Sequence, residues 1–165
     1  MSSSTPEPLT AAVVTISDSS SRGEREDLSG PAVASFLERK QFRVVAREVV
    51  PDEASAIRAS LLQLCEMARL VVTTGGTGVA QRDVTPEATV AVCDRLLPGV
   101  AERMRIEGSV KTKFAALSRG VCGTRGQSVI LNLPGSPKGA VESLEAVVDL
   151  IPHALQLLSG DTAHH

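Results

Sequence analysis

A chain of 165 residues fits one domain, and a domain of that size buries roughly 70% of its unfolded surface, enough to stand without a disulfide or metal staple. Apolar residues make up 42% and charged residues 22% of the chain, an ordinary globular composition. The net charge of -2 argues against nucleic acid or an anionic membrane as partner, so any bound anion must be held by local main-chain donors and a few placed cations.

Residues 1–8 are Ser- and Pro-rich, with neither a basic n-region nor an apolar core, and read as a disordered leader rather than a signal peptide. Residues 11–16 (AAVVTI) are an apolar, β-branched run that predicts a buried strand. A polar loop at 17–29 follows, then a helix over 30–39, with Pro31 in a first turn where its missing N–H is no loss. Residues 42–50 alternate and predict a second strand. Asp52 is placed to cap a helix at 53–67, whose Ile57, Leu61 and Leu64 recur at helical spacing.

A third strand at 70–73 runs straight into Gly75-Gly76-Thr77-Gly78. Thr85 as N-cap and Pro86 at the first helical position open the next helix. After the Leu97-Pro98-Gly99 break, 100–107 reads as helical. Strands at 121–123 and 128–133 are joined by a hairpin at 124–127. Ser136-Pro137 begins a helix, a last helix covers 152–158, and residues 161–165 read as a frayed tail. No apolar run approaches the ~18 residues of a membrane span. Strands alternating with helices predict a mostly parallel sheet covered on both faces, in one domain over 9–160. Ligands of such sheets bind beyond the carboxyl ends of the strands.

Cys65, Cys93 and Cys122 lack metal-ligand spacing, and two of the three histidines are terminal, so reduced thiols in a cytosolic protein are the plain reading. No Ser/His/Asp or Cys/His set is visible. The strongest chemical feature is the segment 71–87, VVTTGGTGVAQRDVTPE. Gly75, Gly76 and Gly78 let the chain turn sharply and present N–H groups to an anion, and the following helix start adds more. A carboxylate beside a phosphate cradle is repelled unless a divalent cation bridges them, so Asp83 reads as a Mg²⁺ ligand, with Arg82 available to neutralise phosphate. The alternative is a tight turn in which Asp83 only satisfies loop amides. The segment has neither the Lys-Ser/Thr of a P-loop nor the GxGxxG spacing of a dinucleotide site.

Pro134, Gly135 and Ser136 form a second strand-end turn before a helix N-terminus, with Lys138 nearby; an ordinary Ser-Pro helix start explains them equally well. Ser17 and Asp18 at the end of the first strand offer a hydroxyl and a carboxylate to a ligand, or an Asx turn. Asp52 is open between cap and ligand.

The motifs TISDS (15–19), RGERED with SGP (22–31), Pro51-Asp52-Glu53, TTGGTG with RDVTPEAT (73–89), LPG with ERMR (97–105), ALSRG (116–120) and LNLPGSPK (131–138) occur in this order. Together they resemble the molybdenum-cofactor biosynthesis family, which includes Mog-type molybdopterin adenylyltransferases and the gephyrin G domain. The resemblance implies a three-layer αβα fold, a homotrimer, and Mg²⁺-dependent transfer of AMP from ATP to the terminal phosphate of molybdopterin. It also implies delivery of the product to a molybdenum-inserting partner. Asp52 and Asp83 fall on the family's acidic motifs and are the expected catalytic and metal residues. Gly75, Gly76, Thr77 and Gly78 fall on its glycine loop. Ser17, Asp18, Gly135 and Ser136 fall on strand-end positions expected to contact nucleotide and pterin phosphate. A non-catalytic pterin-binding scaffold is the alternative within the family, and a nucleotide pyrophosphatase of the competence-damage type the alternative outside it.

Overall fold

The computed structural model describes residues 6–160, so the first five residues of the expected leader and the tail at 161–165 lie outside it. Strand β1 (Thr10–Ile16) is flanked by β2 (Arg43–Val50) and β3 (Leu70–Thr74), both parallel to it. Next to β3 lies β6 (Ser128–Leu133), also parallel, and then β5 (Cys122–Arg125), antiparallel to it. The two-residue strand β4 (Arg95–Leu96) completes a six-stranded sheet of order β2-β1-β3-β6-β5-β4. Only β5 runs against the rest, as expected for a mostly parallel sheet.

Alternation along the central strands explains the layers. Ala11 and Val13 of β1, with Leu70 and Val72 of β3, face one side. There they meet Val33 and Leu37 of α2 (Ser29–Arg39), Ala101 and Met104 of α5 (Pro98–Lys111), Leu144 of α6 (Pro137–Val147) and Leu155 of α7 (Ile151–Leu158). Ala12, Val14 and Val71 face the other side, against Ile57 and Leu61 of α3 (Ala54–Cys65) and Ala88 and Val92 of α4 (Thr85–Val92). Every residue of β3 and β6 is buried, and at ~1.5–3 kcal/mol per buried aliphatic side chain these strands anchor the fold.

Five details depart from the sequence reading. The loop at 17–29 contains a four-residue helix, α1 (Asp18–Ser21). Asp52 is not a helix cap: Glu53 N–H donates to the Pro51 carbonyl at 2.8 Å, and that tight turn moves the cap position of α3 to Glu53. Thr85 is not a cap either, since Val84 holds that position and Thr85 begins α4. The Pro98-Gly99 break opens α5, which runs on to Lys111. The hairpin closes on Gly126-Gln127 alone, with Gly126 at φ +56°. Among the described residues no helix is long and apolar enough to cross a membrane.

Candidate active site

Strand order reverses between β1 and β3, and the loops leaving β1, β2, β3 and β6 gather above that point. Gly75 (φ +95°) and Gly76 (φ +69°) turn the chain off β3 in a conformation that side chains rarely adopt. A Cβ at Gly75 would lie 2.3 Å from the Ile16 carbonyl oxygen, and one at Gly76 would lie 2.2 Å from Thr85 Oγ1 and 3.2 Å from Asp52 Oδ1. The turn is therefore pressed against β1 on one side and α4 on the other. Thr85 pins it: its hydroxyl donates to the Gly75 carbonyl at 2.9 Å and its N–H to the Gly76 carbonyl at 3.2 Å. Recruitment by those two carbonyls is the physical reason Thr85 does not cap its own helix. The N–H groups of Gly76, Thr77 and Gly78 donate to no acceptor among the described residues and remain available for an anion.

The carboxylates form a linked set. Asp18 N–H donates to Asp52 Oδ2 and Asp52 N–H donates to Asp18 Oδ1, each at 3.0 Å. Arg82 forks onto the Asp18 carboxylate through Nε (3.0 Å) and Nη2 (2.9 Å). The Asp52 N–H, and then the Arg82 guanidinium, hold the Asp18 carboxyl below its ordinary range. Asp52 moves the other way. Burial pushes its carboxyl up, the Asp18 N–H bond opposes this, and the charges of Asp18 and Asp83 push it further. Asp83 Oδ2 accepts the Ala80 N–H at 3.0 Å, so Asp83 does satisfy a loop amide, while its field still reaches Asp52.

Two cavities flank these loops. The larger, about 880 Å³, lies between α5, the 3₁₀ turn Lys113–Leu117 and α6, and reaches Thr77, Gly78, Pro134 and Ser136. The smaller, about 370 Å³, lies under the start of α2 and reaches Ser17, Gly75, Gly135 and Ser136. Ser136 lines both, and it caps α6 by accepting the Gly139 N–H at 3.1 Å. Ser17 likewise caps α1, accepting the Ser20 N–H at 3.2 Å. Asp18, Asp52, Arg82 and Asp83 line neither cavity and stand beside them.

Sequence reasoning missed three groups. Asn132, buried within the apolar β6, donates to Thr73 Oγ1 and Thr89 Oγ1 at 3.0 Å each and braces β3 and α4 beneath the turn. A lone amide in an apolar strand was the available signal. The second is the Thr85 hydroxyl. The third is Arg119, in the ALSRG motif, which reaches the glycine loop from far along the chain. The thiols offer no nucleophile: burial pushes Cys65 and Cys93 up to about 11 and Cys122 up to about 12.

Residues 12–153 match the family described as the probable molybdopterin binding domain. The molybdopterin adenylyltransferase of Helicobacter pylori (strain J99) is 44% identical over 153 residues, covering 90% of this chain and 87% of that protein. The molybdopterin adenylyltransferase of Escherichia coli K12 is 41% identical over 169 residues, covering 92% and 86%. The crystal structure of the molybdopterin biosynthesis enzyme MoaB from Thermus thermophilus superposes with a TM-score of 0.87 at 51% identity, over 92% of this chain and 97% of that one. The fold, the strand-end loops and these relatives agree, and the chain belongs to the molybdopterin-binding family of molybdenum-cofactor biosynthesis.

Proposed function

We propose that the chain is a molybdopterin adenylyltransferase, transferring AMP from ATP to the terminal phosphate of molybdopterin with release of pyrophosphate. The observation that carries this reading is the meeting of two cavities at Ser136, beside unpaired loop amides. Their volumes suit one small-molecule substrate each. Two phosphate-bearing substrates can thus lie with their phosphates side by side, which is what group transfer between them requires. Relatives at 41–44% identity bear this enzyme's name.

An oxygen of the pterin phosphate attacks the α-phosphorus of ATP, and the bond to the bridging oxygen breaks with its electron pair leaving on pyrophosphate. The nucleophile belongs to the substrate, so a chain whose buried thiols stay protonated suffices. The amides of Gly76, Thr77 and Gly78 receive phosphate oxygens, aided by the N-terminal ends of α4 and α6. Ser17, Asp18, Pro134, Gly135 and Ser136 line or border the substrate cavities, and Arg82 stands ready to exchange Asp18 for a phosphate.

The donor set fits Mg²⁺. It is oxygen-only, and the charge of Asp83 acts on the Asp52 carboxyl. Among the described residues no three-residue His/Cys/Asp/Glu metal cluster forms, and Mg²⁺ usually takes one or two carboxylates and completes its shell with water and substrate phosphate. Asp52 and Asp83 are the residues that would hold it. When bound, Mg²⁺ neutralises charge on the transferring phosphoryl group.

The same reading takes residues 9–160 as the catalytic domain, a cytosolic setting, a molybdenum-inserting protein as recipient of the product, and a homotrimer. Apolar side chains exposed along α5 and the 3₁₀ turn, including Ile106 (67%), Val110 (85%) and Phe114 (66%), support the last. Incubating the protein with ATP, Mg²⁺ and molybdopterin tests the function. Pyrophosphate release that depends on the pterin is expected. Pterin binding without release would instead assign a scaffold, and nucleotide hydrolysis without pterin a pyrophosphatase.

A further inference from the structure

We propose that Arg119 is the positioning residue for Asp83, setting that carboxylate's place from the far side of the glycine loop; the proposal rests on the adenylyl-transfer reading. Arg119 lies between the 3₁₀ turn Lys113–Leu117 and β5. Its main-chain N–H donates to the Thr77 carbonyl at 2.8 Å. Nε donates to the Gly78 carbonyl and Nη2 to the Asp83 carbonyl, both at 2.7 Å, and Nη1 pairs with the Glu87 carboxylate. One planar group therefore ties the start of the loop, its end and the first turn of α4 together.

Apolar packing does not do so. Between Gly78 and Asp83, residues 79–82 are exposed, and Val79 is 70% exposed, so no apolar side chain anchors the segment. Within the loop, Asp83 is held only by Ala80, whose N–H meets the carboxylate and whose carbonyl accepts the Asp83 N–H. Those bonds close a small ring, which Arg82 tethers on one side through its fork onto Asp18, the partner of Asp52. The Arg119 fork holds the ring from the other side, at the Gly78 and Asp83 carbonyls, and so fixes the main chain that carries the Asp83 carboxylate. Lysine carries the same charge but cannot span two carbonyls and a carboxylate in one plane.

The test compares wild type, Arg119→Lys and Arg119→Ala in three measurements: thermal melting, amide hydrogen exchange across residues 78–84, and Mn²⁺ binding in the presence of ATP by electron paramagnetic resonance. Arg119→Lys is expected to melt close to wild type, to exchange the 78–84 amides about tenfold faster, and to raise the Mn²⁺ midpoint about 10–100-fold, the usual effect of losing a group that orients a metal ligand. Turnover should fall with the midpoint and recover in part at high Mg²⁺. Unchanged exchange at 78–84 in Arg119→Lys would overturn the proposal. So would losses that merely track the unfolded fraction and leave the Mn²⁺ midpoint of the folded protein at its wild-type value. If wild type neither binds Mn²⁺ with ATP nor releases pyrophosphate, the functional reading fails, and the exchange measurement alone still decides whether Arg119 positions the loop.

Discussion

Two glycine-containing loops leave adjacent parallel strands here, one after β3 and one after β6, and they are built differently. The β3 loop uses positive φ at Gly75 and Gly76, and it is held from outside by Thr85 and Arg119. The β6 loop, Pro134-Gly135-Ser136, needs no positive φ and rests on its own helix cap, Ser136 to Gly139. Both reach the two cavities. Both resemble anion-binding turns in sequence. The difference teaches that a glycine turn can be fixed in two ways, by distant groups at the β3 loop and by its own helix cap at the β6 loop.

The largest expected contrast is between the glycines themselves. Gly76→Ala places a methyl within 2.2 Å of Thr85 Oγ1 at a φ of +69°. It should destabilise the fold by ~1–3 kcal/mol and lower turnover at least ~10²-fold through displaced reacting groups. Gly135→Ala meets only Gly75, at Cα (3.4 Å) and N (3.9 Å), and should melt near wild type. Equal losses in both variants would break the comparison. Hydroxyl deletions sharpen it. Thr85→Val leaves the Gly75 carbonyl without its donor and should cost ~1–3 kcal/mol with a matching loss of turnover. Ser136→Ala should cost about 1 kcal/mol as an ordinary cap. Denaturant midpoints and steady-state rates check both.

The smallest effect concerns Asp52, and its sign is opposite. Burial holds its carboxyl above the ordinary 3.8, so the folded chain keeps that proton to higher pH than the unfolded chain does. The stability it contributes is full below pH 3.8 and is lost as pH rises through the raised folded value. Asp52→Asn should therefore raise the melting temperature at neutral pH. It should leave the melting temperature unchanged below pH 3.8 and lower turnover at every pH. A variant that is less stable at neutral pH would show that Asp52 is a structural acceptor and not a strained ligand.

Much of the fold was legible because β1, β3 and β6 are buried on both faces and so read as continuous apolar runs. The exposed pair Arg95-Leu96 carries no period, and β4 went unseen. Helix α1 hid inside a segment whose composition marks only polarity. At the site, Gly75, Gly76, Asp83 and Ser136 were visible because each belongs to a local pattern of strand end, turn and helix start. Arg119 was not, because its Asp83 partner lies 36 residues away and no local rule joins them. Thr85 was misread as a cap, and Asp52 was left open between cap and ligand, because capping is the nearest use of such side chains, and contacts across the sheet's end outcompeted it.

The claim on which the account turns is that Asp83 serves the transfer of AMP and not the fold of its loop. Pyrophosphate release by Asp83→Asn, with ATP, Mg²⁺ and molybdopterin all saturating, tests it most directly when molybdopterin binding is measured on the same sample. The account predicts release lowered ~10²–10³-fold with molybdopterin binding intact. Release at the wild-type rate would contradict it.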